Sequence, residues 1–425
     1  MRRIVVPERQ GWKARVKDLG LTYEDQDGVP YWTDGAYYEF DQSQIETLEA
    51  ATAEVHLMCL AVVEEVVSRG RWSELAIRPE FASVIERSWR AQDPFVYGRM
   101  DFAWNGTGAP KLLEYNSDTP TSLIEASVIQ WDWMMQRIED GTLGDHMDQF
   151  NALDEALVNA WRRAARAPGM ETISRIQPLM ISSYSDFPED YQTALYMAAC
   201  ANEAGIPTST IDPDGIGWDE RLKRFVDLVG LPIQAIWKLY PWEHMAVDAF
   251  APRLNEEHGT RFIEPAWKSI LSNKGMLAIL WELFPGHENL LETSFTPRPF
   301  HGRAHVRKPL FSREGANVDI HLPDDVFSWT ETLGGQYGTE GHVWQEYVEL
   351  PRFDGRHAII GSWVAGANPR FEGLPVMPLG CDPCGIGIRE HGGLITGNLS
   401  RIVPHVFVPD AENPPIPVPA DRYVP

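Results

Sequence analysis

The chain has 425 residues, 44% hydrophobic and 23% charged, which excludes a disordered chain and is too long for one ordinary core. With 61 acidic against 37 basic residues it carries a net charge of −24, a field that repels nucleic acid and anionic membranes and attracts cations. Four cysteines are too few for a disulfide scaffold, the start at Met1-Arg2-Arg3 has no apolar signal region, and runs such as Met276 to Trp281 fall far short of a membrane span; a cytoplasmic chain is expected.

Residues 1–41 read as irregular, with short strand-like pieces such as Val29-Pro30-Tyr31-Trp32. Residues 43–68 predict a helix, because Ile45, Leu48, Ala51, Val55, Met58, Cys59, Val62 and Val66 recur at helical spacing behind the capping residues Asp41 and Ser43. Residues 97–104 and 110–116 predict two strands joined by a hairpin at Asn105-Gly106. Helices are expected over 122–133 and 147–165. A buried strand at 177–183 and a helix over 189–204 begin an α/β alternation. Residues 263–284 read as helical, punctuated by Asn273-Lys274-Gly275. Strands are expected at 305–309, 316–320, 341–350, 355–364 and 385–389, and the proline-rich stretch 409–425 reads as an extended strap.

Residues two apart on a strand share a face, so the hairpin aligns Arg99 with Asp101 and Glu114 with Asn116. Two carboxylates and an amide oxygen make a hard site suited to magnesium, with Arg99 beside them for an anion. An exposed cross-strand charge cluster has the same pattern. Lys308 ends a strand before the turn Arg313-Glu314-Gly315, whose backbone N–H groups can cradle phosphate. Gln345, Glu346 and Val348 lie on an apolar strand able to offer its backbone to an adenine edge, or simply on an amphipathic strand. Arg389 is placed to offset charge on a transferred phosphoryl group, or to pair with Glu390. Cys381-Asp382-Pro383-Cys384 lacks the second ligand pair that zinc requires and reads as two loop thiols.

The order of these motifs resembles the synthetase domain of glutathionylspermidine synthase, and more closely the stand-alone acid–amine ligases of that family. The resemblance covers nearly the whole chain. Its most specific pieces are Arg99-Met100-Asp101, the run from Leu113 to Ser122, Lys308 to Gly315, and Ile388-Arg389-Glu390. It implies an ATP-grasp fold with a pre-ATP-grasp α/β domain, of mixed α+β and α/β character. It implies ATP and magnesium, two ions, as cofactors, and a small-molecule, peptide-like carboxylate and an amine, a polyamine being one candidate, as partners, with no nucleic acid and no membrane. Carried over by position, Asp101, Glu114 and Asn116 would hold magnesium and Arg99 would contact the carboxylate or its acyl phosphate. Thr119 and Thr121 would meet the acid. Lys274, Lys308, Arg313, Glu314, Gly315, Gln345, Glu346 and Val348 would hold ATP, and Arg389 would stabilise the transferred group.

Asp186, Glu189 and Asp190 start a helix roughly where the family binds its polyamine; they serve equally well as acids complementing a helix dipole. Arg401 stands where an acidic contact to the amine is sought, which counts against spermidine. The ligase-like motifs begin by Arg99, so neither an amidase domain nor amidase activity is expected. The expected segments are 1–95, an N-terminal region packing on the core; 96–260, the hairpin and α/β domain; 261–408, the ATP-grasp subdomains; and the 409–425 strap. The alternative to an acyl-phosphate ligase is a catalytically silent ATP-binding regulatory protein with the same fold.

Overall fold

The structure is a computed structural model that describes residues 1–26, 28–323, 334–366, 382–397 and 400–410. Cys381 and nearly all of the 409–425 strap lie outside the described residues.

The Gln42–Arg69 helix forms where its apolar periodicity requires. Gln44 reaches back to accept the Asp41 N–H at 3.1 Å, and Gly70, at φ 67°, ends the helix in the left-handed conformation that glycine adopts without penalty. The buried face lies on a central antiparallel sheet, where Thr52 Oγ1 and Ser362 Oγ meet at 2.7 Å and His56 Nδ1 meets the Tyr115 hydroxyl at 2.9 Å.

That sheet runs in the order Arg401–Val403, Asp382–His391, Arg356–Ala365, Tyr97–Ala103 and Lys111–Asn116, with Arg352–Phe353 paired to the Arg356–Ala365 strand. Thus the hairpin and the C-terminal strands, more than two hundred residues apart in sequence, are hydrogen-bonded neighbours. Segments drawn in chain order do not coincide with this sheet, since the 96–260 segment contributes its first two strands to it. A second sheet is parallel, in the order Arg261–Ile263, Ala235–Lys238, Leu179–Ser182 and Thr208–Ile211, with the Pro188–Glu203 helix packed on it. A third, antiparallel sheet orders Thr293–Ser294, His342–Glu346, His305–Pro309 and Asp319–His321.

Four expectations change. Residues 1–41 are not irregular: Arg2–Val5 and Ala36–Asp41 form a sheet with His405–Val408, and Trp12–Asp18 is helical. The first strand is short and half exposed, so no alternation long enough to read was present. The helix expected at 263–284 is broken into Ser269–Ser272 and Met276–Leu283, because the Asn273 side chain turns back to accept the Gly275 N–H. The helix expected at 147–165 spans only Leu153–Ala164, and the strand expected at 316–320 is Asp319–His321, preceded by left-handed turn residues. Seven tryptophans, among them Trp237, Trp267 and Trp363, are fully buried, as core anchors should be. No described helix is long and apolar enough to cross a membrane.

Candidate active site

Hairpin register places Arg99 opposite Asn116 and Asp101 opposite Glu114. A bulge follows Asp101, and the strand bends there. Arg99 is 7% exposed and Asp101 2%, so an exposed charge cluster is ruled out. Arg99 Nε donates to Asp101 Oδ1 at 2.8 Å and its Nη1 to the Thr121 carbonyl at 2.7 Å, while the guanidinium lies over the Trp363 ring. Arg389 pairs with Asp101 from the next strand but one. Alternation along its strand sends Glu390 to the opposite face, where Arg3 and Tyr38 bind it; the suggested Arg389–Glu390 bridge does not form.

Asn116 Nδ2 donates to Asp101 Oδ2 at 3.1 Å and to Glu114 Oε1 at 3.2 Å, tying the three expected metal ligands together. Lys274 Nζ sits 2.9 Å from Glu114 Oε2. Burial opposes ionisation of Glu114, yet Lys274 and Lys308 outweigh it and hold the carboxyl well below the usual range. Burial pulls the Lys308 ammonium down to about 8 against the attraction of Glu114. Lys308 donates to the Leu113 carbonyl at 2.8 Å and to Gln345 Oε1 at 2.6 Å, linking the third sheet to the hairpin.

Arg313 donates to Thr119 Oγ1 at 2.7 Å and to Glu243 Oε1 at 2.8 and 2.9 Å. Its turn contains Glu314, at φ 53°, and Gly315, at φ 71°. Glu243 was not foreseen: a lone glutamate after Pro241-Trp242 has no motif, and only the fold brings it to Arg313. The same holds for Tyr184, Phe187, Tyr240 and His244, which add rings to the wall around Glu189 and Asp190.

These elements enclose one cleft of about 510 Å³. Its wall includes these candidate site residues named from the sequence: Arg99, Asp101, Glu114, Asn116, Thr119, Thr121, Glu189, Asp190, Lys274, Lys308, Arg313, Glu314, Gly315, Gln345, Glu346, Val348 and Arg389. Asp186 is exposed and outside the wall, as is Arg401, which lies opposite Glu390 on the strand pair. Burial raises Glu189 above the usual carboxylate range, and burial with Glu189 and Glu314 nearby lifts Asp190 to about 6. Among the described residues no three His, Cys, Asp or Glu side chains cluster as a self-sufficient metal site. Two carboxylates with an amide fit magnesium, which keeps waters and shares its shell with phosphate oxygens. The buried Arg389 Nε has no hydrogen-bond partner among the described residues, as fits a group that completes its bonds on an anion.

Three sheets contribute to a cleft lined by both cations and acids, and comparison with known proteins places the fold. The family described as glutathionylspermidine synthase pre-ATP-grasp matches residues 3–408, and the chain belongs to that family. It is 37% identical over 413 residues to a Haemophilus influenzae protein that bears the inferred name acid–amine ligase, covering 95% of this chain and 98% of that one. It is 28% identical to the bifunctional glutathionylspermidine synthetase/amidase of Escherichia coli and 27% identical to the trypanothione synthetase of Crithidia fasciculata. Those matches cover 78% and 85% of this chain but 55% of each relative, so the chain spans about half their length. In fold it resembles a glutathione synthetase-like effector of Globodera pallida, with a TM-score of 0.56 at 11% identity over 95% of this chain and all of that one. The chain is accordingly an enzyme of the carbon–nitrogen ligase class.

Proposed function

We propose that the chain joins a carboxylate to an amine at the expense of ATP, through an acyl phosphate. The observation that carries this reading is the convergence of acid-binding, phosphate-binding and amine-binding candidates on one buried cleft. A free carboxylate resists attack because oxide is a poor leaving group, and phosphorylation converts it to a phosphate that leaves. Arg99, fixed by Asp101 and Trp363, orients the carboxylate beside Thr119 and Thr121. Lys274, Lys308 and the Arg313-Glu314-Gly315 turn bind the nucleotide phosphates. Gln345, Glu346 and Val348 border the adenine. Arg389 faces the group in transfer and offsets its charge.

Asp101, Glu114 and Asn116 would hold magnesium, two ions in our reading, with the Asn116 amide turned to present its oxygen. When bound, the metal neutralises and aligns the phosphates. Glu189 and Asp190 give the amine an anionic seat, and the rings of Tyr184 and Tyr240 suit an organic cation. The amine is therefore a polycation in our reading, as in the substrate for which the spermidine-named relatives are called. The amidase reaction in the name of the Escherichia coli relative is not carried over, because the match covers only part of that protein.

A silent ATP-binding protein is the competing reading. It is favoured by one observation: Asp101 is engaged by two guanidiniums and Glu114 by Lys274, so both carboxylates are already neutralised. ADP release in the presence of magnesium and pooled carboxylates and amines separates the two. Release above background with a matched pair is expected; ATP binding with no release from any pool would sink the ligase reading.

A further inference from the structure

Glu243 stands outside the cleft wall and has no part in the roles assigned so far. It belongs to the short Trp242–Met245 helix that follows the Ala235–Lys238 strand of the parallel sheet. The residue before it is pinned. The Trp242 N–H donates to Asp118 Oδ2 at 2.9 Å, and the Trp242 indole donates to the Glu264 carbonyl at 3.0 Å. Asp118 also accepts from Lys238 Nζ at 2.7 Å. Trp242 and Asp118 are both buried, and their chain neighbours Glu243 and Thr119 flank this junction. Glu243 and Thr119 therefore stand at a fixed separation, on one block of the fold.

Arg313 spans that separation from the third sheet's side of the cleft. Its Nε and Nη2 donate to Glu243 Oε1, and its Nη1 donates to Thr119 Oγ1. One N–H on each terminal nitrogen is left for an anion in the cleft, which Arg313 lines. Burial opposes ionisation of Glu243, but the Arg313 guanidinium outweighs it and holds the carboxyl below its ordinary value. Lys274 grips the same turn one residue earlier. Its Nζ donates to the Ser312 carbonyl at 2.6 Å and stands 2.9 Å from Glu114 Oε2. An isolated surface ion pair contributes little to stability. This pair instead ties a phosphate-facing turn to the loop that carries the acid candidates Thr119 and Thr121.

We propose that Glu243 is a positioning residue for phosphorylation of the acid, acting through Arg313. It holds the guanidinium against Thr119, so the turn is joined to the acid-side loop before either ligand arrives. This role presupposes the ligase reading. In the step it serves, a carboxylate oxygen bonds to the terminal phosphorus of ATP. The bond from that phosphorus to the bridging oxygen breaks, and its electron pair leaves with ADP. Glu243 exchanges no proton and touches no reacting atom; it fixes where the charge of Arg313 stands. Its removal takes a negative charge away from the phosphates, so ground-state attraction for ATP does not weaken. What is lost is the alignment of a charge that acts in the transfer.

ADP release with magnesium, varied ATP and the pooled carboxylates and amines reads this split. Glu243→Ala should lower kcat about tenfold or more while KM for ATP holds or falls. Glu243→Gln keeps an accepting oxygen and should recover most of the loss. In an Arg313→Ala background, Glu243→Ala should cost nothing further. A raised KM with kcat intact, or the same loss in both backgrounds, overturns the proposal. Amide hydrogen exchange of the free protein needs no substrate. The N–H groups of Ala316, Asn317 and Val318 donate to the carbonyls of Arg313, Gly334 and Gly315. They should exchange about tenfold faster in Glu243→Ala, since a charged hydrogen-bond partner of the turn is gone, and near the original rate in Glu243→Gln. Unchanged exchange in Glu243→Ala also overturns the proposal. If the unsubstituted protein releases no ADP from any pool, the ligase reading fails and the phosphorylation role fails with it. Faster exchange in Glu243→Ala would then show that the turn is still held by Glu243, which separates that failure from a failure of the contact itself.

Discussion

Asp101 has two guanidinium partners and one amide, and Glu114 has two ammonium neighbours. Replacing both carboxylates therefore removes the metal donors and at the same time frees four cations. Asp101→Asn with Glu114→Gln should abolish the magnesium dependence of ATP binding without unfolding the protein, while affinity for metal-free ATP holds or rises. Calorimetry with and without magnesium checks this; an unchanged magnesium dependence would make the hairpin a charge cluster only. The acids on the amine side titrate in an accessible range. Asp190 is raised to about 6, so its charge is lost as pH falls below that value. A bound cation favours the ionised form, so spermidine affinity should drop by up to about tenfold per pH unit below 6. Flat affinity between pH 5 and 7.5 would remove Asp190 from the amine seat.

At the scale of elements, the Arg356–Ala365 strand matters for what one of its residues lacks. Gly361 pairs with Asp101 in the central sheet. A Cβ there would stand 2.8 Å from Arg99 Cδ and 3.3 Å from its Cγ. Those atoms belong to the fixed stem of a guanidinium held by Asp101, Thr121 and Trp363, not to a free end. Gly361→Ala should cost about 1–3 kcal/mol of stability by overpacking and lower turnover further by displacing Arg99. Comparing urea unfolding with ADP release tests it. Full activity in a stable variant would mean that the position of Arg99 is not critical. The hairpin itself was legible because Asn-Gly turns and period-two alternation are local signals. Its bulge after Asp101 was not, since a bulge shows only when the partner strand is in place.

Across the whole molecule, the parallel sheet is tied to the loop after the hairpin by a buried pair. Asp118 accepts from Lys238 Nζ at 2.7 Å and from the Trp242 N–H at 2.9 Å, and both charged side chains are essentially unexposed. Burial pulls the Lys238 ammonium down while Asp118 pulls it up. Lys238→Met would leave Asp118 buried with one donor, and about 3–5 kcal/mol should be lost; Asp118→Leu with Lys238→Met should recover much of it. Urea titrations of the single and double variants decide whether the pair stabilises or only orients the two layers.

The sequence by itself determined the long helix and the hairpin, because capping, turn chemistry and strand alternation are written within a few residues, while the fold class and most of the residues that line the cleft came from the resemblance of its motifs to the family. It carried the alternatives at Arg389 and at the hairpin unresolved. Tertiary structure decided those, by burying Arg99 and Asp101 and by sending Arg389 and Glu390 to opposite faces of one strand. It also decided what no local pattern holds: Glu243 against Arg313, the N-terminal strands paired with His405–Val408, and Glu125 buried under the hydroxyls of Tyr23 and Tyr31. Burial and charge pairing depend on residues far apart in the chain, and only the folded arrangement brings them within reach of one another.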